Sequence, residues 1–335
     1  MQQYIFYTVL VSMMLAIMLM PIFKKFAYKK NLLSRTNAMD RRKVPYIGGI
    51  VFYIVFCMVL MIMLNVSKMP FVIKKLQGII ISSAIIVILG LYDDWRELKM
   101  LPKFFGQLIA AMSLAIFGIR THIILIGDLV NYIITIIWIV GIVNAFNFLD
   151  IRDGLCAGIA LIATTSFFII ALITKNNYIA MQCAVLAGIL IVFLKYNCPP
   201  AKLFMGDTGS MFLGFILAAI ALEISYAPEG HSLRLLSPIM VMTVPIFDII
   251  FVTFMRLKNK RSVFKKSNDH FIFLLEGTKF SRQNSIIFMF KLGILAALAA
   301  IIINLTVNIT GSIVFVILLV TFIVSGAKIS YLKNV

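Results

Sequence analysis

Long apolar runs alternate with short polar loops along almost the whole chain. The runs lie near residues 4–22, 47–65, 76–92, 104–119, 129–147, 155–174, 178–195, 209–226, 236–256, 285–305 and 311–327. About 20 apolar residues in a helix span the hydrocarbon core of a bilayer. The pattern therefore predicts an all-α, polytopic integral membrane protein with about ten to eleven transmembrane helices. A hydrophobic content of 62% and a mean hydropathy of +1.04 exclude a soluble domain with a large core. Residues 1–335 read as a single membrane domain, with no soluble insert, repeat or low-complexity tract. The first run has no basic residue before it and a dense basic cluster after it, the flank pattern of an uncleaved anchor.

Charge orients these spans. The net charge is +18, and its distribution says more than its sum. Lys24, Lys25, Lys29, Lys30, Arg35, Arg41, Arg42 and Lys43 follow span 1, and the loop from Arg256 to Arg282 after span 9 is equally basic. Both loops follow odd-numbered spans, so the positive-inside rule places odd loops in the cytoplasm and the N-terminus outside. Most of these cations serve topology and attract anionic lipid, and no nucleic-acid partner is expected. Cys57, Cys156, Cys183 and Cys198 lack metal-ligand spacing and read as small apolar residues or free thiols.

The acids carry the chemical signal. Asp and Glu total only 13 of 335 residues, yet they gather as Asp93-Asp94, as Asp150 and Asp153 in Asn147-Phe148-Leu149-Asp150-Ile151-Arg152-Asp153-Gly154, and as Asp207 in Gly206-Asp207-Thr208-Gly209-Ser210. These groups follow spans 3, 5 and 7, which the basic loops independently assign to the cytoplasmic side. A carboxylate at a membrane boundary is costly unless it holds a cation or takes part in chemistry. Carboxylates and an amide oxygen suit magnesium, and nearby Lys and Arg suit phosphate. The combination points to phosphoryl transfer, and the membrane setting makes a lipid phosphate the natural substrate.

At these residues the chain resembles the polyprenyl-phosphate N-acetylhexosamine-1-phosphate transferases (glycosyltransferase family 4). The likeness runs from about residue 40 to residue 285. It rests on Pro45-Tyr46-Ile47-Gly48-Gly49, Asp93-Asp94, Pro102-Lys103 with Gln107, and Asn144-Ala145-Phe146-Asn147 with Asp150 and Asp153-Gly154-Leu155. Tyr196-Asn197, Pro200-Ala201, Phe204-Met205-Gly206-Asp207-Thr208-Gly209-Ser210, Pro245-Ile246-Phe247-Asp248 and Ser281-Arg282-Gln283 complete it. The resemblance implies that a sugar 1-phosphate passes from a UDP-sugar to undecaprenyl phosphate, releasing UMP and starting a cell-envelope polysaccharide or teichoic acid. It implies magnesium, with manganese as the alternative, on Asp207 and Asn147. Phe204 would stack on uracil, Asp150 and Asp153 would line the nucleotide-sugar site, and Asn144 would contact substrate. Asp93 and Asp94 would orient or deprotonate the lipid phosphate, with Lys103 as its charge partner and His270 on a substrate phosphate. The expected location is the inner (plasma) membrane, multi-pass, with the active-site loops near 92–103, 147–154, 196–210 and 256–283 facing the cytoplasm. A homodimer is compatible with this reading.

The chain departs from the family pattern in three places. Asn268-Asp269-His270-Phe271-Ile272-Phe273 keeps one histidine of a His-rich signature. Arg152 interrupts the Asp-Gly-x-Asp-Gly stretch, either neutralising the acids or supplying a phosphate contact. Asp40 and Arg41 stand where an Arg-Lys-x-His is usual. The lack of three adjacent histidines favours UDP-N-acetylglucosamine over UDP-N-acetylmuramoyl-pentapeptide as donor. Two other readings stand beside this one. A divergent homologue would use another UDP-HexNAc donor or be inactive, and a transporter would hold its acids near the midplane on broken helices. Asp248, within span 9, is either functional or a folding partner for a neighbouring helix. His122 and His231 read as solvated residues of outer loops.

Overall fold

A computed structural model describes residues 2–34, 43–67, 73–123, 126–224, 232–262, 269–278 and 280–306. The eleventh apolar run, Asp40, Arg41, His231 and parts of both basic loops lie outside these residues. Among them the secondary structure is helical, apart from one isolated bridge between Leu33 and Pro45. The chain divides into two units, Met1–Ile224 and Ser225–Val335.

The first unit comprises α1 (Gln2–Lys29), α2 (Gly48–Ser67), α3 (Ile73–Arg96), α4 (Met100–Ile116), α5 (Gly127–Leu149), α6 (Leu155–Ile173), α7 (Asn177–Asn197) and α8 (Gly206–Ile224). The second comprises a short 3₁₀ turn (Ser232–Leu236), α9 (Ser237–Val241), α10 (Thr243–Lys258), α11 (Phe271–Glu276) and α12 (Arg282–Leu305). Among the described residues seven helices are long and apolar enough to cross a membrane, or eight if the bent pair α9–α10 counts as one span. Gly48–Met63 and Met100–Ile116 are shorter apolar helices. The polytopic all-α architecture expected from the sequence is thus present, with one correction: run 236–256 is not one straight helix. It bends by 64° at Met242. Pro245 has no N–H to donate to the Val241 carbonyl, and its ring crowds that oxygen, which favours a bend here.

In the first unit α8 is buried along nearly its whole length. It packs against α2, α3, α5 and α6, with α1 and α7 joined alongside and α4 against α3 and α5. Lipid tails are as apolar as the side chains, so close fit holds such a bundle together, and small residues permit it. A Cβ on Gly49 would meet the backbone of Gly209, and one on Gly90 the backbone of Thr208. At Gly214 it would lie 2.8 Å from Val143 Cα. Glycines thus let α2, α3 and α5 touch α8 backbone to backbone. Far from the start of α8, Lys75 Nζ meets Glu223 Oε1 at 2.8 Å, and Gln182 Nε2 donates to Glu223 Oε2 at 3.4 Å, tying α3 and α7 to the end of α8. Gly49→Val is expected to cost about 1–3 kcal/mol through overpacking, read as a lowered unfolding temperature in detergent. An unchanged transition would mean that α2 does not need this contact.

Candidate active site

α3, α5 and α7 end, and α4 and α8 begin, at one end of the first unit, and the expected site residues other than His270 lie there. Asp93 and Asp94 are consecutive on α3 and so point about 100° apart. That angle gives them different partners. Asp94 reaches α8: its Oδ1 accepts the Asp207 N–H at 2.7 Å, and its Oδ2 accepts the Thr208 N–H at 3.1 Å and the Thr208 hydroxyl at 2.6 Å. It is therefore the cap of α8, supplied by another helix, satisfying amides that a helix start leaves open and placing negative charge at the positive end of the dipole. Gly206 just before it has φ +72°, and a Cβ there would sit 2.6 Å from Asp94 Oδ2. Only glycine tolerates both that backbone and that neighbour. Pro45-Tyr46-Ile47-Gly48-Gly49 has a backbone role here. Phe204 N donates to Pro45 O at 2.8 Å, while Gly48 N and Gly49 N donate to Phe204 O and Met205 O, both at 3.0 Å.

Asp93 faces the other way and is buried. Its Oδ2 takes Lys103 Nζ at 2.6 Å and its Oδ1 takes the Leu98 N–H at 2.7 Å. Lys103 also donates to Asn147 Oδ1 at 2.9 Å and lies 4.0 Å from Asp207 Oδ2. Asn147 Nδ2 in turn donates to Asp207 Oδ1 at 2.6 Å and to Ser210 Oγ at 3.0 Å. A continuous polar chain thus runs from α3 through α4 and α5 to α8. Asn144, one turn before Asn147, donates to Gln107 Oε1 at 2.7 Å and packs α5 on α4.

Asp153 and Asn197 join the loop after α5 to the end of α7 and the loop that follows it. Asp153 Oδ2 accepts the Ala201 N–H, and Asn197 Oδ1 accepts the Gly154 N–H, both at 3.0 Å. Asp153 is buried, whereas Asp150, Arg152, Phe204 and Asp207 keep partly exposed surface. Although Asp150 is not fully covered, desolvation by the surrounding protein, then the charges of Asp207, Asp94 and Asp153, pushes its carboxyl up to about 8. Like charges gathered in an enclosed place are the setting in which a bound cation is most stabilising.

Do these residues suit a metal? Among the described residues no three His, Cys, Asp or Glu side chains are grouped to hold one. Asp207 presents a carboxylate that is 35% exposed, with Asp150 close enough to interact with it. Asn147 offers less than the sequence suggested, because its amide oxygen accepts from Lys103 and its nitrogen faces Asp207. Magnesium takes one or two protein carboxylates and completes its shell with water and phosphate oxygens. The sparse set is of the kind that ion accepts: Asp207 would be the ligand and Asn147 its orienting neighbour.

His270 belongs to the second unit. Its Nδ1 lies 2.8 Å from Asp248 Oδ2, and both residues are buried. Gln107 and Asn197 had no role assigned from the sequence although they sit in its motifs; the geometry gives each a hydrogen bond to a site residue or its loop, and Thr208 and Ser210, which the sequence offers as N-caps of span 8, bond to Asp94 and Asn147.

A sequence model described as glycosyl transferase family 4 matches residues 76–225, from α3 through α8. The chain is 29% identical over 342 residues to a probable undecaprenyl-phosphate N-acetylglucosaminyl 1-phosphate transferase of Bacillus subtilis, covering 97% of this chain and 92% of that one. It is 32% identical to a decaprenyl-phosphate N-acetylglucosaminephosphotransferase of Mycobacterium leprae, covering 68% and 65%. A phospho-N-acetylmuramoyl-pentapeptide-transferase of Clostridium novyi is 29% identical, with 81% and 88% covered.

Proposed function

The chain belongs to glycosyl transferase family 4, as a polyprenyl-phosphate N-acetylhexosamine-1-phosphate transferase, and we propose that it moves N-acetylglucosamine 1-phosphate from UDP-N-acetylglucosamine to undecaprenyl phosphate. One observation carries the local reading: a partly exposed carboxylate, Asp207, is fixed at a helix start beside an ion-paired lysine, at the ends of membrane helices. A magnesium ion there would neutralise the diphosphate of the donor and draw charge from the leaving UMP. Asp207 would hold it, with Asn147 orienting Asp207 and Asp150 completing the acidic wall. Lys103, steered by Asp93, would hold the acceptor phosphate. An oxygen of that phosphate attacks the phosphorus bonded to the sugar; the new P–O bond forms as the bond to UMP breaks. Phe204 lies in the loop before α8, where its ring can pack on uracil, and Asp153 keeps that loop in place through Ala201.

The names of the Bacillus and Mycobacterium relatives support the acetylglucosamine donor, as does a segment 269–275 with a single histidine. The site would face the cytoplasm of a bacterial plasma membrane, where nucleotide sugars are made, and the lipid product would start a surface polysaccharide or teichoic acid. The test is UMP release from UDP-N-acetylglucosamine and undecaprenyl phosphate by the purified protein in detergent, with magnesium, with manganese, and with chelator. Metal-dependent release supports the reading. Release from UDP-N-acetylmuramoyl-pentapeptide alone would reassign the donor, and release unaffected by chelator would remove the metal.

A further inference from the structure

We infer that Gln107 and Asn144 are positioning residues: an uncharged amide pair, one helical turn beneath the site, that sets where Lys103 and Asn147 stand. α3 and α5 end at the site, and α4 and α8 begin there. One turn away from the site and on the same face of each helix, Asp93 is backed by Gly90, Lys103 by Gln107, Asn147 by Asn144 and Asp207 by Met211. These four residues join in a second layer. Asn144 Nδ2 donates to Gln107 Oε1 at 2.7 Å and to Val140 O at 2.8 Å. Gln107 Nε2 donates to Asn144 Oδ1 at 3.4 Å and to Met211 Sδ at 3.6 Å. A Cβ on Gly90 would lie 3.1 Å from Met211 Cε, so the glycine leaves the space that Met211 fills. Both hydrogens of the Asn144 amide are thus committed inside the protein, and Gln107 is 1% exposed. That gives the pair a bridging role in place of a contact with substrate. Lys103 Nζ bonds Asn147 Oδ1 at 2.9 Å between the same two helices, which run antiparallel, so the two links are successive rungs of one ladder. The outer rung carries charge at the membrane boundary, and the inner rung is neutral, as its greater depth favours. Amides bonded across helices hold their register where lipid supplies no hydrophobic drive. Lys103 itself hangs on a flexible four-carbon stem. Fixing α4 against α5 one turn away confines that stem to its bonds with Asp93, at 2.6 Å, and Asn147.

The effect of this pair on turnover rests on the transferase reading; its effect on Lys103 does not. Gln107→Met keeps the length of the side chain and removes its polar groups. Lys103 is 17% exposed and so within reach of an amine-acetylating reagent. In the variant it is expected to be acetylated about tenfold faster, the factor that one lost hydrogen bond to a charged group is worth. Mass spectrometry of the protein in detergent reads this, with the exposed Lys74 as unchanged reference. The kcat/KM for undecaprenyl phosphate is expected to fall about 10–100-fold, since displacing a site group by about 1 Å costs as much as 100-fold. Exchanging the amides, Gln107→Asn with Asn144→Gln, conserves their combined length and every donor and acceptor. The exchanged protein should therefore turn over faster than either single change alone. If Gln107→Met does not fold, this exchange decides. A folded Gln107→Met protein with wild-type labelling and turnover overturns the inference, and so does an exchanged pair slower than both single changes. Faster labelling with unchanged turnover upholds the positioning and removes Lys103 from the reaction. Wild-type protein that releases no UMP would defeat the transferase reading, while the labelling of Lys103 would still decide the positioning.

Discussion

Asp207→Ala is expected to reduce UMP release about 10²–10³-fold, the scale on which removing a main electrostatic stabiliser of a transition state acts. The fold should survive. The alanine keeps its backbone N–H on Asp94 Oδ1, so the start of α8 remains capped. The lost side chain is partly exposed, and what it gives up within the protein includes the 2.6 Å bond from Asn147 and the approach of Lys103 at 4.0 Å. Asn147 retains Ser210 and Lys103. Stability should therefore fall by no more than about 1–2 kcal/mol. Chelation of wild-type protein should reproduce the loss, reversibly, and excess magnesium should not rescue the variant. An Asp207→Ala protein with ordinary turnover would end the metal assignment, and one that no longer folds would show that the carboxylate is needed for the bundle itself.

The sequence was most informative where a rule depends on composition. Apolar length located the helices, and ten of the eleven runs coincide with described helices, because burial in lipid demands the same residue types along a whole span. The grouping of Asp93, Asp94, Asp150, Asp153 and Asp207 followed from helix parity, since spans 3, 5 and 7 all end where span 8 begins. What spacing alone did not reveal is how adjacent acids divide their work. Asp93 and Asp94 read as one motif, yet a helix turns them apart, one to Lys103 and the other to α8. Asn147 read as a ligand, but only the positions of Lys103 and Asp207 decide which end of its amide meets which partner. The bend at Met242 was present in the sequence as Pro245 and was hidden by the hydropathy of the run. The meeting of Asp248 with His270 depends on how the chain returns after α10, a tertiary fact with no local signature.

Asp94→Ala is expected to cost nearly as much turnover as loss of Asp207, for a different reason. Its carboxylate receives three hydrogen bonds from Asp207 and Thr208, and loss of an N-cap removes about 0.5–2 kcal/mol. The amide of Asp207 would then be open, the first turn of α8 would fray, and Asp207 would no longer be aimed beside Lys103. Activity should drop more than about 100-fold, since misplacement by about 1 Å costs that much. Asp94→Asn distinguishes this positioning role from the chemical role that the resemblance implies. Asparagine is a good cap: its oxygen can keep one of the two backbone amides while its NH₂ meets the Thr208 hydroxyl as donor to acceptor. Turnover within about tenfold of wild type is therefore expected for Asp94→Asn, with most of the stability retained, whereas Asp93→Asn should be far slower because it weakens the charge that steers Lys103. If Asp94→Asn is as inactive as Asp94→Ala while its unfolding temperature is unchanged, the negative charge itself is required. Asp94 would then act on the substrate, and the cap would be secondary.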